Sequence, residues 1–86
     1  MTTTATHVDG NAIAGVLAEV FGGEMTDHRG CCDNCGLVAR IGAVLVYRDS
    51  PGEVLRCPAC GAVLMVLVAT PSGVRLGMGL LRWIEM

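Results

Sequence analysis

Two short cysteine motifs constrain this chain more than any other feature. Cys32-Asp33-Asn34-Cys35-Gly36 and Cys57-Pro58-Ala59-Cys60-Gly61 are two copies of one device, C-x-x-C-G. Two residues between the sulfurs let a tight turn aim both at one ion. The glycine lets the backbone curl back, so that amides face the thiolates and hold them in place. The 21 residues between Cys35 and Cys57 accommodate a strand, a turn and a return strand. That spacing predicts both knuckles at one end of a single hairpin. Four thiolates brought together in this way make a closed tetrahedral site of the structural zinc kind. Cys32, Cys35, Cys57 and Cys60 are the candidate ligands, and Zn²⁺ is the candidate cofactor.

Other uses of the sulfurs fit less well. Disulfides need an oxidising compartment, of which the sequence gives no sign. A thioredoxin-like motif uses one C-x-x-C within a βαβ pattern, and here two such motifs flank strand-like sequence. Iron suits a four-sulfur tetrahedron, and Cys57-Pro58-Ala59-Cys60-Gly61 is similar to a rubredoxin knuckle. Rubredoxin cores hold several aromatics, whereas this chain has one Phe, one Tyr and one Trp, so zinc is the expected metal. Cys31, the fifth cysteine, gives a worse spacing to Cys35 and reads as a small buried thiol, with a swap ligand or redox-sensitive position as the sharper alternative. His28 reads as a surface residue, because four thiolates saturate the ion, and His7 carries no assignment. Arg29 and Arg56 lie just upstream of the knuckles and read as charge compensation for the metal cluster.

Composition narrows the class. The chain has 86 residues, enough for one small domain. An apolar content of 52% excludes disorder throughout. The net charge is −2, and four thiolates around Zn²⁺ make it about −4, so a nucleic-acid surface is disfavoured. The start, MTTTATHVDG, has neither a basic segment nor an apolar one and does not read as a secretory signal. The longest apolar run, residues 62–69, is eight residues, against about 20 for a spanning helix. A cytoplasmic location is therefore expected, without membrane association. The closed site and the lack of a nucleophile or phosphate-loop motif point away from an enzyme.

Periodicity gives the expected elements. Residues 1–8 read as a disordered tail and residues 9–86 as one domain. Ile13, Val16, Leu17, Val20 and Phe21 mark one face of a helix over residues 9–22, with Asp9 as its cap and Gly22-Gly23 as its stop. Residues 24–30 read as a polar connector. Strands are expected at 41–47, 53–56, 62–70 and 74–85, with turns at Asp49-Ser50-Pro51-Gly52 and Pro71-Ser72-Gly73. The fold class is small α+β: an N-terminal helix followed by a zinc-ribbon antiparallel β-sheet of three to four strands. Ala62 to Ala69 is apolar on both faces of its strand, which calls for cover on both. The helix can supply one cover, and a homodimer or unknown protein partner the other. The ion is expected to be essential for the order of residues 31–61.

The order DGNAIAGVLAEVFG (residues 9–22), CDNCG (32–36) and VLRCPACG (54–61) resembles a small bacterial zinc-ribbon family of unknown function. The resemblance spans nearly the whole chain from residue 9. It implies a zinc-ribbon fold with Cys32, Cys35, Cys57 and Cys60 as ligands, and brings no activity. The preferred expectation is a zinc-stabilised interaction or structural module. The alternatives are a nucleic-acid or transcription-associated ribbon, which needs the six arginines clustered on one face, and a rubredoxin-like iron electron carrier.

Overall fold

The computed structural model describes residues 7–49 and 52–85. The strands are β1 (Val8–Asp9), β2 (Arg29–Cys32), β3 (Val38–Arg40), β4 (Leu45–Asp49), β5 (Gly52–Arg56), β6 (Val63–Thr70), β7 (Gly73–Met78) and β8 (Leu81–Ile84), and α1 spans Ala14–Phe21. All strand pairings are antiparallel. A five-stranded sheet has the order β1-β4-β5-β6-β7, and a three-stranded sheet the order β3-β2-β8. This overturns the expected helix followed by a ribbon of three to four strands. Among the described residues the chain is mostly β, with eight strands in two sheets and one short helix.

Three local features cause the difference. The expected strand at 41–47 begins instead as a 3₁₀ turn, Ile41–Ala43, which redirects the chain from the small sheet to the large one. The turn is held from outside: Ile41 donates its amide to the His28 carbonyl at 2.8 Å, and Gly42 to that of Thr26 at 3.0 Å. The second feature is β2, which lies at the end of the stretch expected to be a connector. Its short RGCC sequence shows no alternation, yet it is the centre strand of the small sheet, and Gly30, Cys31 and Cys32 are all buried.

The third feature is a break in the expected last strand at Gly79-Leu80. Gly79 donates to the Leu64 carbonyl at 2.9 Å and Leu80 to that of Val63 at 2.8 Å. The chain then leaves the large sheet and pairs with β2 as β8. A Cβ on Gly79 would run into the Val63 carbonyl oxygen and come within 3.1 Å of that of Leu64. Both obstacles are backbone and cannot swing aside. Gly79→Ala is expected to destabilise the fold by about 3 kcal/mol. Thermal denaturation measures this, and an unchanged midpoint would mean that the crossing is loose.

At the start of the chain, Val8 pairs with Val46 and Asp9 with Leu45, so the described part of the expected tail carries a strand. Residues 10–13 form a 3₁₀ turn before α1 begins, and the Asp9 side chain makes no capping bond. Gly22, at φ 80°, ends α1 in the left-handed conformation and donates to the Ala18 carbonyl at 2.8 Å. Asn11 and Gly10 approach the Ile41–Ala43 turn closely. Ser50 and Pro51, the middle of one expected turn, lie outside the described residues, as do residues 1–6.

One core joins the elements. Leu17 of α1, Ile13, Val46, Leu55, Met65 and Leu67 of the large sheet, and Leu81 of the small sheet share a buried cluster. Strand alternation puts Val46, Leu55, Met65 and Leu67 on the inner face of the large sheet. The opposite face carries a cross-strand row, Tyr47–Val54–Val66–Gly77, half-buried at Tyr47, Val54 and Val66 and exposed at Gly77. Among the described residues, no helix is long and apolar enough to cross a membrane.

Candidate metal centre

Each knuckle is the turn of its own hairpin. The first joins β2 to β3 in the small sheet, and the second joins β5 to β6 in the large one. The expected single hairpin is therefore replaced by two, one from each sheet, meeting tip to tip. Their backbones match. Gly36 donates to the Cys32 carbonyl at 2.8 Å, and Gly61 to that of Cys57 at 2.9 Å. Cys32 donates to Leu37 O and Cys57 to Ala62 O, both at 2.9 Å. Gly36 sits at φ 80° and Gly61 at φ 79°, in the left-handed region that a side chain disfavours. This is why each C-x-x-C ends in glycine.

The four sulfurs of Cys32, Cys35, Cys57 and Cys60 lie within 4.8 Å of one another. Cys32 Sγ is 3.7 Å from Cys60 Sγ, and Cys35 Sγ is 3.6 Å from Cys57 Sγ. A zinc–sulfur bond of about 2.3 Å gives a tetrahedron edge of about 3.8 Å. The donor set and its spacing thus fit one four-coordinate ion. In each pair one cysteine is buried and one exposed: Cys32 and Cys57 face the core, and Cys35 and Cys60 face solvent. Beneath the knuckles, a cavity of only about 10 Å³ remains among Cys32, Leu37, Cys57, Pro58, Leu64 and Leu81. The inner side of the centre is closed by apolar packing.

Amides support the sulfurs. The Ala59 N–H points at Cys57 Sγ at 3.4 Å. Cys60 is drawn down to about 6, first by a hydrogen bond from the Asn34 side chain and then by the Ala62 amide. The Leu37 amide also pulls Cys35 down, but desolvation and the thiols of Cys57, Cys60 and Cys32 outweigh it and push Cys35 up to about 12. Without an ion, the Cys60 thiol therefore ionises more readily than that of Cys35. Asn34, inside the first knuckle, reaches a sulfur of the second. The sequence reading gave it no role, and a polar amide between two cysteines was the available signal.

The neighbours fall differently from expectation. Arg56 does sit at the second knuckle, where its Nη1 donates to Gly61 O at 2.8 Å. Arg29 instead pairs with Glu85 at 2.8 Å. Near the first knuckle the cation is Arg82, 3.7 Å from Asp33. His28 contacts the Glu85 carbonyl through Nδ1 at 2.9 Å and stays outside the sulfur cluster. Cys31 lies on the other face of β2 from Cys32, because successive strand residues alternate. It is buried in the row Val38–Cys31–Trp83. The pleat keeps it from replacing a ligand unless β2 itself turns over.

Fold and site together define a small two-sheet β protein whose hairpin tips present a four-thiol centre able to hold a metal ion. The chain belongs to a family of unknown function (DUF6510), whose model matches residues 3–86. No curated protein and no solved structure matches it.

Proposed function

We propose that the centre holds one Zn²⁺ as a structural ion, and that the domain it braces is a non-enzymatic, cytoplasmic protein-interaction module. The observation that carries the zinc reading is the approach of all four sulfurs to within 4.8 Å, from two matching knuckles on separate sheets. A bound ion links the two hairpin tips covalently, and the all-thiolate donor set favours zinc in a reducing compartment. Four protein ligands leave no open position for a reacting water.

The arginines support interaction with protein rather than nucleic acid. Arg29 and Arg82 face carboxylates, and Arg48 and Arg56 donate to the carbonyls of Ala12 and Gly61. These four lie on four different strands, and each is engaged by a group of the chain itself.

Elemental analysis of purified protein, combined with native mass spectrometry, tests the reading. One zinc per colourless folded chain is the expected result. Stoichiometric iron with visible thiolate absorption would replace zinc by an electron carrier. A compact, ordered chain without any ion would remove the metal centre altogether.

A further inference from the structure

We infer that β7 is a dimerisation strand, and that its occupant is β7 of a second copy of this chain, paired antiparallel about a two-fold axis at Leu76. The inference names the partner in the interaction reading above and rests on that reading only for a folded, metal-loaded domain.

The first ground is the state of the edge. β7 ends the large sheet, and all six of its residues are exposed. The opposite edge of that sheet is β1, only two residues long. Exposed edges are ordinarily blunted by Pro, Lys, bulges or short length. β7 pairs with β6 in unbroken register over six residues, and its only charge is Arg75. Its inner face continues that of β6: Val74, Leu76 and Met78 lie opposite Ala69, Leu67 and Met65. Met65 and Leu67 are buried, whereas Val74, Leu76 and Met78 are 37%, 36% and 59% exposed. The sheet's apolar inner face thus runs out to an open edge.

The second ground is the direction of the backbone groups. Gly79 donates its amide to Leu64 O at 2.9 Å. In an antiparallel ladder, hydrogen-bonded pairs recur every second residue. The two-residue Pro71-Ser72 loop closes on Thr70–Gly73 as a hydrogen-bonded pair, so Arg75–Val68 and Gly77–Val66 are bonded too; the Gly79 bond keeps this alternation, and the Leu80 bond to Val63 O falls where the ladder breaks. Val74, Leu76 and Met78 consequently turn their N–H and C=O groups away from β6. The residues with free backbone groups are the same residues that carry the exposed apolar side chains.

The third ground identifies the occupant. β7 complements itself. With Leu76 opposite Leu76 of the second copy, Val74 meets Met78 of that copy and Met78 meets its Val74. All three outward-facing residues of each strand then find bonding partners. On the other face Arg75 lies opposite Gly77 of the second copy, so the two guanidinium groups avoid direct opposition. A shift of two residues one way sets Arg75 against Arg75, which costs stability. A shift the other way takes Val74 out of the five-residue overlap. One register therefore satisfies the backbone, the apolar face and the charge together.

Analytical ultracentrifugation of the zinc-loaded protein from roughly 10 µM to 1 mM tests the inference, since an interface of this size associates weakly. The expected mass rises from 8.9 kDa towards twice that value. Leu76→Pro removes an N–H that makes no bond to β6, so the hairpin is kept. It should weaken the dimer at least about tenfold, because the two-fold axis makes the loss occur twice. Leu76→Lys opposes two ammonium groups across the axis and should weaken it likewise. Metal content and the amide NMR spectrum, recorded on the same samples, show whether each variant is folded and loaded. A zinc-loaded chain that stays at 8.9 kDa throughout overturns the dimer and leaves the metal reading standing. A dimer insensitive to both variants places the interface elsewhere and overturns the inference as well.

Discussion

Removal of the metal is expected to split the unfolding of this domain into two steps. Structural zinc contributes about 10–16 kcal/mol in apparent terms, against a typical total stability of about 5–15 kcal/mol. The structure makes the dependence specific. The knuckles belong to different sheets, so an ion held by the four sulfurs would link the sheets at the hairpin tips. The small sheet has strands of only three, four and four residues, too little to stand alone. With a strong chelator, or in Cys57→Ser, its amides should lose hydrogen-exchange protection first, and the large sheet should follow at a lower thermal midpoint. Cys31→Ser supplies the contrast. That thiol lies on the other face of β2, so one metal per chain and a nearly unchanged metal affinity are expected. If Cys57→Ser kept both its metal and its midpoint, the four sulfurs would not be acting as one centre.

Gly10→Ala is the second large effect. Gly10 is buried in the 3₁₀ turn before α1. A Cβ there would collide with the Ile41 carbonyl oxygen and come within 2.8 Å of the Ile41 carbonyl carbon and 2.9 Å of Gly42 Cα. All three atoms are backbone, in the turn that carries the chain from one sheet to the other. The two turns must separate, and Ile13 and Ile41 in the core move with them. A loss of about 4 kcal/mol or more is expected, enough to unfold much of the population. Gly15→Ala is the control. Nothing lies within 4 Å of a Cβ on Gly15 in α1, and Ala there should stabilise by about 0.5–1 kcal/mol. Chemical denaturation of both variants measures the difference. Equal small effects would show that the approach of Gly10 to Ile41 relaxes without cost.

What the sequence made legible follows from the range of the forces involved. The knuckles are local: cysteine spacing and a left-handed glycine decide their shape within five residues, and the structure brings the four named sulfurs together. The end of the helix at Gly22, and β5 and β6, are likewise settled by near neighbours. Sheet membership is not local. Ile41-Gly42-Ala43 reads as the start of an apolar strand, and only contacts with His28 and Thr26 bend it into a turn. The break at Gly79 depends on carbonyls of Val63 and Leu64, more than a dozen residues earlier. β2 gains its place from partners on both sides, not from its own pattern. The Cys35–Cys57 spacing suited one hairpin equally well, and no count of residues reveals that a 3₁₀ turn divides it between two sheets.

The pairing of β8 with β2 also sets a timetable. Gly30 meets Ile84 and Cys31 meets Trp83, partners more than fifty positions apart in a short chain. Such distant contacts form late, because a long loop must close before they form. During synthesis, β4, β5 and β6 can assemble while residues 81–84 are still inside the ribosome. The first knuckle, rooted in β2, must wait without its flanking strand until they emerge. Its thiols are then in solution before they have a scaffold, so under the zinc proposal capture of an ion would fall in the closing moments of biogenesis.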